Sequence, residues 1–337
     1  MATQTAKAGR TQETPMSRPF LMLAAFLATL ATTPSSYAQT WPTRPLKLVV
    51  PFTAGSSSDT IARIVAGKMS ERLGQQIVVD NRVGASTVIG TDVVAKSAPD
   101  GYTLGLANTT SHAASVALSA RLPFDPIKDF ASIGMIGTSP FVLLASTGQP
   151  ATLKEFVELA KRKPGTLSYA SAGTGTLAHL AGELFKYKAG IDVTHIPYRG
   201  TAQSTMDLLQ GRIDLSVSTI PPTLTHIREG KVRALAVLSD ARSDMLAEIP
   251  TVREAGFPGC EAELWTAFVV PARTPADIVG RLSQVLNDVL ISADVAQALR
   301  IQGVDPYAGA SPSVSAVIAA DIAKWREVVT AAKIQHQ

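Results

Sequence analysis

Cysteine is the scarcest residue of this chain of 337: Cys260 stands alone, and one thiol cannot build an internal disulfide framework. Stability must come from a packed core, for which a 46% apolar composition suffices. Cys260 is expected to be buried and inert. Long apolar runs are missing too. The run from Phe20 to Ala31 is about a dozen residues, too short to span a bilayer, and no later stretch approaches eighteen. The five histidines, His112, His179, His195, His226 and His336, show no metal-ligand spacing, which excludes a zinc site together with the single cysteine. Neither a G-x-S-x-G nucleophile elbow nor a G-x-x-x-x-G-K-[ST] phosphate loop occurs. No metal or cofactor is therefore expected.

What is present begins with an export signal. Arg18 precedes the Phe20 to Ala31 run, and Ser36-Tyr37-Ala38 sets small residues at the minus three and minus one positions of a cleavage site before Gln39. Residues 1–38 read as a signal peptide that is removed, and the mature protein is expected in the periplasm. Residues 1–15 resemble no part of such a leader, which leaves Met16 as an alternative start. No cysteine stands at the end of the run to carry a lipid. Loss of Lys7, Arg10, Arg18 and Glu13 with the leader brings the formal charge from +4 to +2, which is no nucleic-acid footprint.

The chain is organised around residues 46–74. Leu46, Leu48, Val49, Val50 and Phe52, bounded by Pro45 and Pro51, predict a strand buried on both faces. Ile61, Ile64, Val65, Met69 and Leu73 recur at helical spacing, and Gly74 suits a left-handed C-terminus. Between them Thr53-Ala54-Gly55-Ser56-Ser57-Ser58-Asp59 carries no bulky side chain. A helix N-terminus facing such a turn suits a carboxylate or phosphate. Ser56-x-x-Asp59 is also a capping box, so Asp59 either caps the helix or faces ligand.

Strand, turn and helix alternate from there. Strands are expected at 76–80 and 102–107, and helices at 88–96 and, capped by Asn108 to Ser111, at 112–119. Residues 133–145 read as apolar runs broken by Gly134, Gly137 and Pro140, within a linking region. A second set of units starts near Leu153: strand 167–171, the small-residue turn Ala172 to Thr176, helix 177–185, strand 193–196, a helix ending at Gly211, strand 215–220, helix 223–229 and strand 234–238. After irregular surface around Pro250 to Gly259, helices at 278–290, 295–301 and 314–329 close the chain on the first lobe. This is an α/β architecture of two lobes, each a mainly parallel sheet flanked by helices, with 39–142 and 239–337 in lobe 1 and 143–238 in lobe 2. Ligands of such sheets lie beyond the carboxyl ends of the strands.

Several segments together resemble the periplasmic receptors of tripartite tricarboxylate transporters, also called Bug or TctC-like proteins. They are Trp41 to Pro45, Val50-Pro51-Phe52 with Gly55 and Asp59, Ala98 to Leu104, Tyr198-Arg199-Gly200, Gly230 to Val237, Pro250 to Gly256 and Thr274-Pro275. The resemblance implies a Venus flytrap of type II-like solute-binding fold, no catalysis, a small carboxylate held between the lobes, membrane transporter subunits as partners, and a monomer. It implies ligand contacts from Phe52, Thr53, Ala54, Gly55, Ser57 and Asp59 in one lobe and Ser171, Gly173, Thr174, Gly175 and Thr176 in the other, with Asn108, Tyr198, Arg199, Gly200 and Ser218 around the distal end. Two turns depart from the family pattern. Gly55-Ser56 stands where paired glycines are usual, and Val83-Gly84-Ala85-Ser86-Thr87-Val88 stands for Pro-Gly-Ala-Gly-Gly-Asn.

Rival readings remain. Gly173-Thr174-Gly175-Thr176-Leu177-Ala178 fits the G-x-G-x-x-A dinucleotide pattern, yet the acidic residue is misplaced, since Asp192 precedes the next strand. His112 and His179 follow polar turns and either touch ligand or serve structure. Arg199 either pairs with a second carboxylate or is solvated. A receptor that signals to a membrane sensor has the same sequence features. Neighbouring genes for two membrane subunits, or for a sensor kinase, would separate the two roles.

Overall fold

The computed structural model describes residues 1–3, 9, 41–119, 121–198, 200–307 and 313–334. Residues 4–8 and 10–38 of the signal peptide, and Arg199, lie outside the described residues. From Pro42 onward the chain builds one sheet path with helices on its faces.

β1 (Leu46–Val50) is buried at every position except Lys47 and ends at Pro51, which has no N–H to continue the ladder. α1 (Ser57–Leu73) buries Ile61, Val65, Met69 and Leu73, and Gly74 closes it at φ 69°. β2 (Ile77–Asn81) pairs parallel with β1. α2 (Val88–Ala95) leads to β3 (Thr103–Asn108), parallel to β1 on the other side. The turns after these strands therefore share the carboxyl edge of the sheet. The expected helix at 112–119 is replaced by a π-helical turn (Thr110–Ala114) and a short α3 (Ser115–Leu118). The cause is local. Asn108 Oδ1 accepts from the Ser111 N–H at 2.9 Å, while Ser111 Oγ accepts from the Asn108 N–H at 3.0 Å, and such side-chain bonds compete with regular helical pairing.

The segment read as a broken linker is a single 17-residue strand, β4 (Phe130–Ser146). Its first part, to Pro140, pairs antiparallel with β9 (Glu263–Pro271), and its last part, from Phe141, pairs antiparallel with β7 (Leu215–Thr219) and β8 (Val232–Val237). Gly134 and Gly137 do not break it. Register shifts at Ser132/Gly134 and Met135/Gly137 absorb its curvature, and a Cβ on Gly137 would meet Asp305 O at 2.4 Å, where β10 (Asp305–Pro306) pairs. β9 itself, absent from the sequence reading, joins β3 to β4 by antiparallel pairing on both sides. Parallel strands on both flanks and antiparallel pairings at the centre give the order β2-β1-β3-β9-β4-β7-β5-β6, where β5 is Ser168–Ser171 and β6 is Thr194–Pro197, with β8 and β10 also on β4.

In the second half, α4 (Leu153–Arg162) starts from a full capping box between Thr152 and Glu155. β5 (Ser168–Ser171), α5 (Leu177–Ala189), β6 (Thr194–Pro197) and α6 (Thr201–Leu209) repeat the β1–α1 plan, with β6 and β7 parallel to β5. A short α7 (Leu224–Arg228) precedes β8. After β9 come α8 (Ala276–Leu290), α9 (Ala293–Ile301) and α10 (Val314–Ala331). α10 touches both halves. Trp325 is fully buried, Asp321 accepts from the Trp265 indole at 2.7 Å, and Glu327 meets Lys188 of α5 at 3.0 Å. Cys260 is fully buried, and burial pushes its thiol up to about 12, so it is no nucleophile.

Candidate functional site

The first turn begins where β1 delivers the chain past Pro51. Thr53, Ala54, Gly55 and Ser57 are exposed, and Phe52 is half-buried. Gly55 sits at φ +78°, and the space where its Cβ would stand is open to 4 Å. Ser56 caps α1, its Oγ accepting from the Asp59 N–H at 3.3 Å. The Ser57 and Ser58 N–H groups, next along the helix start, find no partner among the described residues. Two aligned donors at the positive end of a helix dipole are what an oxyanion binds.

Asp59 does not complete the capping box by bonding the N–H of Ser56, which bonds Thr53 O instead. Its carboxylate, 2% exposed, turns inward. Oδ2 accepts from the Gly55 N–H at 2.8 Å and from Arg63 Nε at 2.9 Å, and Oδ1 accepts from Asn81 Nδ2 at 2.8 Å. Burial alone would raise its pKa. The bonds from Arg63, Asn81 and Gly55 outweigh burial and hold it down at about 2. Asn81 Nδ2 also donates to Phe52 O at 3.0 Å, and Arg63 reaches Asn81 Oδ1 at 3.1 Å. Asp59 is thus the hub that fixes the turn. Asn108, at the end of β3, is 1% exposed and donates to Ser58 Oγ at 3.4 Å, which brings it beside the start of α1.

The turn at 84–87, on the same sheet edge, holds three successive non-glycine residues at positive φ: Ala85 (44°), Ser86 (49°) and Thr87 (82°). For Thr87, which is β-branched, this conformation costs energy and persists only where the surroundings enforce it. Ser115 Oγ donates to Ser86 O at 2.7 Å and meets Thr87 Oγ1 at 3.3 Å. A backbone of the kind glycine adopts freely is thus held here by residues that carry side chains.

The second turn repeats the first with different chemistry. Ser171 is fully buried at the end of β5. Its hydroxyl lies 2.7 Å from His195 Nε2 and accepts from the Gly173 N–H at 3.2 Å. Thr176 caps α5, accepting from the His179 N–H and donating to Gly173 O at 2.7 Å. The Gly175 N–H donates to His179 Nδ1 at 3.2 Å. Thr174 is exposed, and the Leu177 and Ala178 N–H groups have no partner among the described residues. Gly173 (φ +134°) could not bear a Cβ without pressing on Tyr198 O at 3.1 Å. Tyr198 lies against this turn, its N–H on Ser171 O at 3.1 Å and its hydroxyl on Asp207 at 2.7 Å. Gly200 (φ +110°) is the N-cap of α6, and Ser218 is buried in β7, its hydroxyl on Thr219 O. Neither bonds either turn among the described residues.

The histidines divide. His112 is buried against Phe130, its Nδ1 2.9 Å from Ser111 Oγ, and burial lowers its pKa to about 3. His179 lies directly beneath the second turn. Asn81, Arg63, Ser115, His179 and His195 all support the candidate turns without standing among the expected ligand contacts. One signal was readable for His179: a histidine in the first turn of a helix can bond back to the chain that enters it.

Residues 61–334 match the family model described as tripartite tricarboxylate transporter family receptor. Protein BugT of Bordetella pertussis is 36% identical over 324 residues, 95% of this chain and 99% of its own. Among solved structures, Rpa4515 of R. palustris, with adipate, superposes with a TM-score of 0.74 at 34% identity, covering 88% of this chain and 99% of its own. MatC from Rhodopseudomonas palustris, with bound malate, gives 0.71 at 31%, covering 86% and 100%. The two-lobed fold of the periplasmic binding proteins is shared with these neighbours, whose family comprises solute-binding receptors and not enzymes. The chain thus belongs to the periplasmic receptors of the tripartite tricarboxylate transporter family, the Bug proteins.

Proposed function

We propose that this receptor captures a small carboxylate between its two lobes and hands it to the membrane subunits of a tripartite tricarboxylate-type transporter. One observation carries the reading. Two turns of the same construction, one in each half of the sheet path, each present a pair of helix-start N–H groups with no hydrogen-bond partner among the described residues: Ser57 with Ser58, and Leu177 with Ala178. Each pair suits one end of a carboxylate held between the halves. Adipate on Rpa4515 and malate on MatC support an aliphatic dicarboxylate as the ligand class. The lobes in this proposal are 39–142 with 239–337, and 143–238. The hinge is the stretch of β4 around Pro140 and Phe141, where its pairing passes from β9 to β7 and β8. Export with removal of residues 1–38 delivers the protein to the periplasm.

The test is a thermal-shift screen of the mature protein against mono-, di- and tricarboxylates, aliphatic and aromatic, with their uncharged amides as controls. A ligand at a hundred times its Kd should raise Tm by several degrees. Gly55→Leu, whose side chain enters the open space before the first turn, should remove that shift while the protein still unfolds cooperatively. Equal shifts from carboxylates and amides would sink the assignment.

A further inference from the structure

Taking the second turn as half of the ligand site, we propose that His179 is its positioning residue: the unprotonated Nδ1 holds the Thr174–Gly175 peptide with its N–H turned into the protein, so the face offered to ligand changes when that nitrogen takes a proton.

The geometry is specific. The Gly175 N–H donates to His179 Nδ1 at 3.2 Å, which is possible only when Nδ1 carries no hydrogen. The Thr176 hydroxyl holds the His179 N–H at 3.3 Å, so the ring's own backbone is pinned to the same turn. A trans peptide is planar with N–H and C=O opposed, so an inward Gly175 N–H sends the Thr174 carbonyl outward. The ring is fixed on its other side. His179 is 5% exposed and stacks on His195 at 4.1 Å and 21°, and His195 stacks in turn on Tyr169 at 4.8 Å. Tyr169 donates to Glu183 at 2.6 Å, and Lys186 meets the same carboxylate at 3.0 Å.

The groups facing this imidazole are therefore His195 and Tyr169 from the sheet and Glu183 and Lys186 from its own helix. Burial holds the His179 pKa below its ordinary 6.5, Glu183 opposes this, and Lys186 adds to it. Once protonated, Nδ1 needs an acceptor where it now faces a donor. Gly175, at φ +77°, lets the Thr174–Gly175 peptide turn over without a side-chain penalty, which brings the Thr174 carbonyl to Nδ1–H and the Gly175 N–H to the outer face. An outward acceptor becomes an outward donor.

The experiment compares the wild type with His179→Leu and His179→Asn. Asparagine can place Oδ1 where Nδ1 stands and does not titrate. Dissociation constants for adipate and malate are measured from pH 7.5 to 4.5, with unliganded Tm in parallel. Loss of the acceptor should weaken binding at pH 7.5 about tenfold in His179→Leu, His179→Asn should restore most of it, and the part of the wild-type pH dependence below 6.5 that exceeds the diacids' own protonation should vanish in both variants. A purely structural histidine would lower Tm in both variants and leave affinity and its pH profile as in the wild type, which overturns the proposal. Where neither diacid binds the wild type, the aliphatic dicarboxylate reading has failed but this inference is still decided. Nitrogen-15 spectra of the histidines must show His179 protonated on Nε2 alone at neutral pH, and the Gly175 amide must move when that ring titrates. A proton on Nδ1, or an unmoved Gly175 amide, overturns it.

Discussion

The two candidate turns share a plan and differ in what holds them. The first, between β1 and α1, is tied to a buried charge: Asp59 gathers Gly55, Arg63 and Asn81. The second, between β5 and α5, is tied by neutral groups: the Ser171 and Thr176 hydroxyls and the His179 and His195 rings. A buried carboxylate with three donors is stiff and insensitive to pH across the physiological range, since acid must reach its depressed pKa before the hub is lost. An imidazole hub is set by a group whose ordinary pKa lies near neutrality. If both turns hold ligand as proposed, one is built to stay and the other to respond.

The largest blow to this comparison is Asp59→Ala. It strands the Gly55 N–H, takes one of two acceptors from the Asn81 amide and removes the carboxylate partner of Arg63, and should cost about 3 kcal/mol in urea unfolding. A loss below about 1 kcal/mol would show that the charge hub is not what holds the first turn. Next is Gly182→Ala in α5. Its Cβ would meet the Tyr169 ring at 2.2 Å, and Tyr169 underlies the imidazole stack, so overpacking should cost about 2 kcal/mol and shift the His195 resonances. A neutral substitution would mean that the stack has room to move.

The smallest effect is the sharpest. His195 lies below its ordinary 6.5, at about 4, first through burial and then through His179 and Lys186. A base with a depressed folded pKa takes its proton more readily when unfolded. Its contribution is complete above pH 6.5 and fades as pH falls toward 4. Asp59, an acid depressed to about 2, contributes fully above its ordinary 3.8 and fades only between there and 2. On acid titration the amides around Gly175 should therefore shift before those around Gly55, and the opposite order would invert the comparison. His112, at about 3, adds a core contribution to global stability in the first half of the chain, so the order is read from single amides and not from Tm.

Both turns were legible because each lies where apolar periodicity changes from strand to helix across small residues, and the helix caps are local. The supports were not. Asp59 was readable as a cap, but its bond to Asn81 spans 22 residues and depends on β1 and β2 pairing in parallel. His179 was weighed only as a cap, a surface residue or a ligand contact, because nothing in a string of letters says which way a ring nitrogen turns. β4 was misread through its glycines and Pro140, and β9 was missed altogether, since its partners are β3 and β4, more than a hundred residues away in sequence.

By itself the sequence determined the elements closed by local forces: the buried strands, the capped helices, the small-residue turns between them, and a family pattern carried by short segments. Only the tertiary structure decided how these meet. It made β4 common to both halves, set Asp59 and His179 as different hubs beneath equivalent turns, and forced Ala85, Ser86 and Thr87 into a glycine-type backbone. The physical reason is range. Caps and periodicity act within a few residues, whereas strand order, ring orientation and enforced φ depend on groups that only folding brings within hydrogen-bonding distance.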